Sequence, residues 1–252
     1  MNDPAPRPAQ GSPLGSSGDP AATARAVRSM FAAVVPRYDF LNHFLSLGFD
    51  IVWRRATARY LRTKLEQPGS LAVDVCCGTG DLALALARYS AGRVIGADFC
   101  HPMLVRAKEK GHSAERAIHF LEGDTLALPF RNHSLDIVSV AFGFRNLANY
   151  RAGLCEMGRV LKPGGVVAIL EFSRVGWPVV GPIFRFYFHR VLPRLGTWIS
   201  GVEGPYQYLP DSVSRFPDQE SLATALGEAG FKNVSYRNFS GGVAALHLGE
   251  KP

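Results

Sequence analysis

The chain has 252 residues, a formal net charge of +7 and a hydrophobic content of 47%. This length suits one α/β domain with a large core, and the composition is that of a globular protein. The positive charge suits nucleic acid, an anionic membrane surface or an acidic ligand, and selects none of them. No apolar run is long enough to span a bilayer and no signal-peptide pattern is present, so we expect a cytoplasmic protein. The four cysteines lack metal-ligand spacing, so we expect reduced thiols and no metal site.

The N-terminal part of the chain divides into two regions of different composition. Residues 1–23 are rich in Pro, Gly, Ser and Ala, and we expect a disordered tail there because too little apolar surface can be buried. Residues 24–66 have helical apolar spacing that is interrupted at Pro36. This pattern predicts a cap of two or three short helices, packed on a single domain that covers residues 24–252.

From Leu71 onwards, strand, turn and helix patterns alternate. The predicted strands are "LAVDVC", "RVIGAD", "IHFLEG", "LDIVSVAF" and "GGVVAILEF". Apolar strands that alternate with amphipathic helices predict an α/β fold with a Rossmann-like, doubly wound, mostly parallel sheet. In such sheets the ligand binds at the carboxyl ends of the strands, near the switch in strand order.

The alternation of strand and helix patterns ends after the fifth predicted strand. Residues 174–216 fit neither pattern, and we expect them to form a substrate or lid insertion, called the lid segment below. After it, "DQESLATALGEAGF" predicts a helix with an Asp cap. The segments "KNVSYRNFS" and "GVAALHLG" then predict a hairpin, so the sheet should end in an antiparallel strand.

The turn after the first strand, "DVCCGTGD", has the features of a ligand-binding loop. Gly78 and Gly80 permit positive φ and keep Cβ atoms away from a ligand. The helix that follows offers free N–H groups. A tight turn without any ligand is the alternative interpretation. A pyrophosphate would need the positive potential at the start of this helix. The negative side chain of Asp81 already occupies that position, so it disfavours a pyrophosphate and therefore a dinucleotide.

Two acidic residues at later strand ends favour an adenosine ligand instead. Asp98 ends the second strand, where a carboxylate can accept hydrogen bonds from both ribose hydroxyls. Asp124 follows the third strand and can accept from the adenine amine, with the Thr125 backbone N–H beside it. A turn, a ribose acid and an adenine acid without a phosphate requirement suit S-adenosylmethionine.

Longer segments resemble one family. "YDFLNHFLSLGFDIVW" and "RVLKPGGVVAILEFS" resemble two signatures of the ubiquinone and menaquinone biosynthesis C-methyltransferases, which are class I S-adenosylmethionine-dependent methyltransferases. The resemblance covers about residues 31–251, and "DVCCGTGD" is more similar to the menaquinone-pathway members. It implies that Thr79, Asp98, Asp124 and Thr125 contact the cofactor. The chain departs from the family's usual residues at three positions, which carry Leu41 for Met, Asp50 for His and Ala141 for Ser.

The resemblance implies methyl transfer to a ring carbon of a reduced demethylquinone. This carbon becomes more nucleophilic when a neighbouring hydroxyl of the ring loses its proton. "FGFRN" follows the fourth strand, where Arg145 would stabilise the phenolate and Asn146 would orient the substrate. Asp39, next to Tyr38 on the cap, is a candidate base. Pairing of Arg145 with a surface acid is the structural alternative, and His189 is a weaker site candidate.

Several alternatives stay open at this point. The acceptor is expected to be a demethylmenaquinol, with a ubiquinone-pathway benzoquinol or another small aromatic as alternatives. A nucleic-acid partner is disfavoured, because no RNA-binding module is present. A non-catalytic scaffold is a further alternative, against which the intact cofactor residues argue. The oligomeric state is open, with a homodimer as one option.

The segment "PIFRFYFHRVLPRLGTWISG" has an aromatic and aliphatic stripe with arginines beside it. Core packing is one interpretation of the stripe. The other is a lid or channel for the tail of a lipid-tailed quinol, in peripheral contact with an anionic membrane at the inner face of the cytoplasmic membrane.

Overall fold

The structure is a computed structural model that describes residues 11–15, 20–35, 38–112, 118–175, 181, 186–200 and 205–252. Residues 1–10 and 16–19 of the predicted tail, and residues 176–180, 182–185 and 201–204 of the lid segment, lie outside this part of the chain.

The described residues form one seven-stranded sheet with the order β3-β2-β1-β4-β5-β7-β6. All pairs from β3 to β5 are parallel, whereas β7 runs antiparallel to both β5 and β6. The predicted Rossmann-like sheet with a C-terminal antiparallel hairpin is confirmed. The strands are β1 Leu71–Val75, β2 Arg93–Asp98, β3 His119–Glu122, β4 Leu135–Ala141, β5 Leu161–Phe172, β6 Lys232–Phe239 and β7 Ala244–Glu250.

Helices cover both faces of the sheet. Two of them have side-chain caps: Asn149 accepts from the N–H of Ala152, and Asp218, the predicted Asp cap, accepts from the N–H of Ser221. A π-helix, Tyr187–Val191, leads into α8. The α-helices are α1 Pro20–Val34, α2 Tyr38–Leu45, α3 Phe49–Tyr60, α4 Arg62–Leu65, α5 Asp81–Ala87, α6 His101–His112, α7 Tyr150–Val160, α8 Leu192–Ser200, α9 Pro205–Arg215 and α10 Gln219–Glu228.

The apolar run of β1 is explained by burial on both faces. Val73 and Val75 belong to a core cluster that also contains Met157 of α7. Ala72 points to the opposite side and belongs to a second cluster with Leu86 of α5. Because side chains alternate along a strand, a strand that is covered on both faces favours apolar residues on each face, and Asp74 is the one polar residue of β1.

Two described elements lie at least partly within residues 1–23, the segment expected to be a disordered tail. Helix α1 begins at Pro20, and Pro13–Gly15 forms a 3-10 turn. Ser12 is buried, and its N–H donates to the carbonyl of Leu147 at 2.8 Å. Proline is well tolerated in the first turn of a helix, and average composition cannot reveal one specific backbone contact with a distant loop.

The stripe in the lid segment packs against the cap. Phe188 and Leu192 are buried in a third core cluster together with Leu41 and Leu45 of α2. The hydroxyl of Tyr187 donates to the carbonyl of Leu45 at 2.9 Å. Core packing is therefore what the described part of the stripe shows, and contact with a lipid remains a prediction.

Candidate functional site

The glycine-rich turn leaves β1 in a left-handed backbone conformation. Cys76, Gly78 and Gly80 have φ values of 49°, 55° and 87°. A Cβ built on Gly80 would come within 3.0 Å of the Phe120 ring, whereas one on Gly78 would meet nothing within 4 Å. Gly80 is thus required by both conformation and packing, and Gly78 leaves its side of the turn open for a ligand.

Asp98 anchors this turn from the neighbouring strand. Its two carboxylate oxygens accept from the N–H groups of Gly78 and Cys100, each at 2.8 Å. Burial raises the pKa of Asp98, and these backbone donors oppose the rise. Each oxygen keeps a second lone pair, so the carboxylate can still accept from a ribose diol. Asp98 and the turn line a small cavity of about 60 Å³.

Thr79 takes part in a polar cluster that joins the turn to the cap. Its hydroxyl donates to Asp39 of α2. Lys110 of α6 donates to Asp39 at 3.0 Å, to Thr79 at 3.2 Å and also to Asp81. The structure therefore brings Asp39 to the cofactor turn, with a donor on each of its oxygens. His43 Nε2 lies 3.9 Å from Asp81 and adds a second link to α2.

The two residues after β3 are oriented differently. Thr125 is buried, and its hydroxyl lies 3.2 Å from the Sγ of Cys76, so it supports the turn. Asp124 is exposed, and its side chain accepts from the N–H of Leu126 at 2.9 Å. Its role towards adenine remains a prediction.

A larger cavity of about 330 Å³ adjoins the small one. Both are lined by Phe31, Tyr38, Arg54 and Phe142, so these residues form the shared wall. Most of the large cavity's lining is apolar and comes from the cap, from β5 and from the lid segment. Such a cavity suits a large apolar ligand with a few polar groups at one end.

Arg145 is a buried cation that lines the large cavity. It lies in the 3-10 turn Phe144–Asn146, which follows β4. Its Nη1 is 2.8 Å from Glu171 and also donates to the carbonyl of Phe142, while its Nε has no hydrogen-bond partner among the described residues. Burial opposes the charge, but the nearby Glu171 and Tyr208 still raise the pKa of Arg145 above its usual value. An unpartnered, buried N–H of a fixed cation can bind an oxyanion.

Asn146 faces the other cavity. It lines the small, cofactor-side cavity, and its Oδ1 accepts from the hydroxyl of Tyr208 at 2.9 Å. Arg145 therefore lines the large cavity and the adjacent Asn146 lines the small one. Tyr38 lies in the wall between the two cavities.

Sequence reasoning missed Arg54, whose ion pair lies in the wall between the cavities. Arg54 pairs with Asp50, which also accepts from Ser46 at 2.7 Å and lies 2.9 Å from Nδ1 of His43. Burial by itself raises the pKa of Asp50, but the charge of Arg54 and the hydrogen bond from Ser46 outweigh it, so the pKa is lowered. The family's usual His is thus replaced by the anion of a buried ion pair. The spacing of Asp50 and Arg54, four residues on one helix, was an available signal.

Asp74, the acid in "VDVCC", is a second missed residue. It lines the small cavity and accepts from the Ser139 hydroxyl at 2.8 Å. Burial raises its pKa to about 7. Its apolar neighbours in the sequence made it resemble an ordinary strand residue.

Metal-ligand clusters and membrane-spanning helices are both absent from the described part of the chain. There, no group of three or more His, Cys, Asp and Glu side chains could hold a metal ion. No helix in that part has the length and apolarity needed to cross a membrane.

Comparison with known proteins identifies the family. A demethylmenaquinone methyltransferase from Thermus thermophilus is 46% identical over 224 residues, which cover 88% of this chain and 100% of that protein. A demethylmenaquinone methyltransferase from Deinococcus radiodurans is 44% identical over 235 residues, covering 93% of this chain and 96% of that protein. Both values are high enough, over enough of each chain, to show common descent.

A solved structure agrees at the level of the fold. The crystal structure of a SAM-dependent methyltransferase from Thermotoga maritima has a TM-score of 0.64 over 89% of this chain and 99% of that chain, at 19% identity. The model of the ubiE/COQ5 methyltransferase family matches residues 20–251. The resemblance seen in the sequence is confirmed: this chain is a member of the ubiE/COQ5 methyltransferase family.

Proposed function

We propose that this protein methylates a ring carbon of demethylmenaquinol, with S-adenosylmethionine as the methyl donor. The observation that carries the proposal is the buried Nε of Arg145, which has no hydrogen-bond partner within the described ranges and lies at an apolar cavity near the glycine-rich turn. The names of the relatives from Thermus thermophilus and Deinococcus radiodurans support the choice of acceptor.

The chain's own residues suit the cofactor. Asp98 accepts from the ribose hydroxyls, Gly78 leaves room for the nucleoside, and Thr79 orders the turn. Asp124 accepts from the adenine amine, with the Thr125 N–H beside it. When bound, S-adenosylmethionine supplies a methyl group on a sulfonium, which is already a good leaving group.

The acceptor occupies the large cavity. Its ring packs against Phe142 and Phe172, whose centroids are 4.8 Å apart, and this apolar lining excludes water. A hydroxyl of the quinol loses its proton, and the guanidinium of Arg145 donates to the oxyanion that forms. Arginine holds its own protons too tightly to act as the base. Asn146 orients the reacting ring from the cofactor side.

Asp39 is the proposed base. Its two oxygens accept from Thr79 and Lys110, and each oxygen retains a lone pair beyond that bond. Asp39 is not among the residues that line either cavity, so a proton from the quinol reaches it through water. The same contacts also give Asp39 a positioning role for Thr79.

The head group of the acceptor is tested by competition. Equal amounts of reduced demethylmenaquinone and of a reduced ubiquinone-pathway benzoquinone are supplied with methyl-labelled S-adenosylmethionine, and the products are separated by mass. We expect label mainly in the naphthoquinol product. Preferential labelling of the benzoquinol would reverse the assignment of the acceptor, and label in neither product would remove the quinol proposal.

The lipid tail of the acceptor leaves the large cavity between α2 and α3. Leu47 and Phe49 line the cavity and are 78% and 48% exposed, so the cavity opens to the surface at this turn. Leu47 has a φ of 53°, a costly conformation for a leucine. An exposed, strained apolar residue at a cavity mouth supports contact with the lipid that carries the substrate.

Charge supports an anionic membrane surface. The outer face of α3 continues from Phe49 through Val52 to the exposed side chains of Arg55 and Arg59. Each arginine near an anionic leaflet adds about 1 kcal/mol of attraction. The protein therefore works as a cytoplasmic enzyme in peripheral contact with the inner face of the membrane.

A further inference from the structure

A chain of hydrogen bonds connects Asn146 to the N-terminal turn. The Tyr208 hydroxyl donates to Oδ1 of Asn146 at 2.9 Å, and Oγ of Ser12 lies 3.0 Å from the Tyr208 oxygen. Because the single hydrogen of Tyr208 is directed at Asn146, the hydroxyl of Ser12 must donate to Tyr208. Ser12 in turn accepts from the N–H of Leu14 at 3.4 Å. Each hydrogen bond of this series therefore donates in the same direction, from the N–H of Leu14 towards Asn146.

The N-terminal turn is held at this place by close backbone contact. The N–H of Ser12 donates to the carbonyl of Leu147, the residue after Asn146, at 2.8 Å. A Cβ built on Gly11 would lie 2.1 Å from the carbonyl oxygen of Ala148, so position 11 has no room for a side chain. Ser12 is buried as a result.

The turn is not part of the family-matched segment, which begins at residue 20. The family match therefore does not cover the residues of the turn that contact the loop after β4. Tyr208, by contrast, lies on α9 within the matched segment.

We propose that Ser12 and Tyr208 are positioning residues that fix the side chain of Asn146 for methyl transfer. The inference rests on the role proposed above for Asn146. Because Oδ1 of Asn146 accepts from Tyr208, the Nδ2 hydrogens are the donors that Asn146 presents to the small cavity. Burial raises the pKa of Tyr208, while Ser12 and Arg145 oppose the rise, and the phenol keeps the proton that it donates.

The first experiment is a double-mutant cycle on the full-length protein, with turnover measured at saturating substrates. Tyr208→Phe and Ser12→Ala should each lower turnover by about threefold to tenfold, the effect of losing one hydrogen bond. Because both residues act through Asn146, the double variant should be no slower than Tyr208→Phe alone. The affinity for S-adenosylmethionine should stay constant across the cycle. Additive losses would overturn the proposal, since they would mean two independent structural roles.

The second experiment displaces the turn without removing either hydroxyl. Gly11→Ala forces the added methyl against Ala148, so its turnover should fall as far as that of Ser12→Ala. Gly227→Ala is the matched control, since its Cβ would meet nothing within 4 Å, and it should leave turnover unchanged. Normal turnover in both Gly11→Ala and Ser12→Ala would overturn the inference.

Asn146→Ala distinguishes this failure from a failure of the proposed function. If Asn146→Ala is slow while the variants at residues 11, 12 and 208 are normal, only the positioning inference fails. If Asn146→Ala itself is fully active, the role of Asn146 in the proposed function fails as well.

Discussion

Nη1 of Arg145 lies 2.8 Å from Oε1 of Glu171, and both side chains are buried. The carboxylate also accepts from the backbone N–H groups of Arg145 and Phe172. Glu171 therefore fixes the guanidinium, while its Nε is left without a hydrogen-bond partner among the residues that the structure describes. Because the pair is buried, any change at Arg145 affects stability as well as chemistry, and the two effects have to be measured separately.

Arg145→Met should lower turnover on the order of a hundredfold, the effect of removing one oxyanion donor, with the affinity for S-adenosylmethionine nearly intact. It should also lower the free energy of unfolding by about 3–5 kcal/mol, because Glu171 is left as an unpaired buried charge. Adding Glu171→Gln removes that charge, so stability should recover while turnover stays low. Turnover that recovers together with stability would make Arg145 a structural residue.

Asp98→Asn should weaken S-adenosylmethionine binding at least tenfold, because one charge-assisted bond is worth about 1.5–3 kcal/mol. Asp124→Asn is the matched comparison and should have a smaller effect, since this exposed site lets water replace the lost contact. Isothermal titration calorimetry on both variants gives the two affinities. A larger loss for Asp124→Asn than for Asp98→Asn would contradict the assignment of the ribose site.

Asp74 should make stability depend on pH in an unusual direction. Its folded-state pKa of about 7 lies above the ordinary value of 3.8, so the folded protein keeps a proton that the unfolded chain releases. This group's contribution to stability is therefore present below about pH 4 and is lost as pH rises through about 7. Relative to the wild type, Asp74→Asn should gain stability across that range, by at most about 4 kcal/mol.

Urea unfolding at several pH values measures this difference. Asp136→Asn is the control of opposite sign, because Lys162 and the N–H of Leu71 outweigh partial burial and lower the pKa of Asp136. It should lose stability at neutral pH, and the loss should disappear in acid. An Asp74→Asn curve parallel to that of the wild type would show that Asp74 has an ordinary pKa.

Asp39→Asn tests the base. If Asp39 takes the proton, the variant should be slow at every pH, and its pH–rate profile should lose the limb that falls towards acid. Thr79→Val removes the partner of Asp39 but keeps the carboxylate, so its profile should keep that limb. An Asp39→Asn profile with the wild-type shape, together with weaker S-adenosylmethionine binding, would leave Asp39 only the positioning role.

Val52→Asp should reduce co-sedimentation with anionic vesicles, while turnover on a short-tailed, soluble quinol should stay normal. Val105→Asp is the matched control: Val105 is also an exposed helical valine, at 45% against 57% for Val52, but it lies on α6. Binding should weaken as salt rises, because the arginines of α3 are screened. Equal losses for both variants, or no vesicle binding by the wild type, would contradict the membrane proposal.

The sheet and its glycine turn could be predicted because each depends on local pattern. The alternation of strands and helices fixes a parallel sheet, and the carboxyl ends of β1 and β2 then bring Gly78 and Asp98 together. Arg145 could likewise be predicted as a site residue, because the segment "FGFRN" directly follows a strand. Arg145 does pair with an acid, as the structural alternative expected, but that acid, Glu171, is buried and not at the surface.

Other parts of the site depend on contacts that no local pattern encodes. Tyr208 is 62 residues from Asn146 in the chain, and Ser12 is 196 residues from Tyr208. Ser12 also lies in a segment whose composition predicts disorder, and a few specific hydrogen bonds override that average. Arg54 was missed for a different reason, because an arginine on an amphipathic helix is usually solvated and its burial shows only after the cap has packed.

Transfer of a labelled methyl group tests the central claim most directly. The protein is incubated with S-adenosylmethionine carrying a carbon-13 methyl group and with reduced demethylmenaquinone, and the product is examined by carbon-13 NMR. We expect the label as a methyl group on a carbon of the quinol ring. A label on a hydroxyl oxygen, or no labelled product from a folded protein that binds S-adenosylmethionine, would contradict the account.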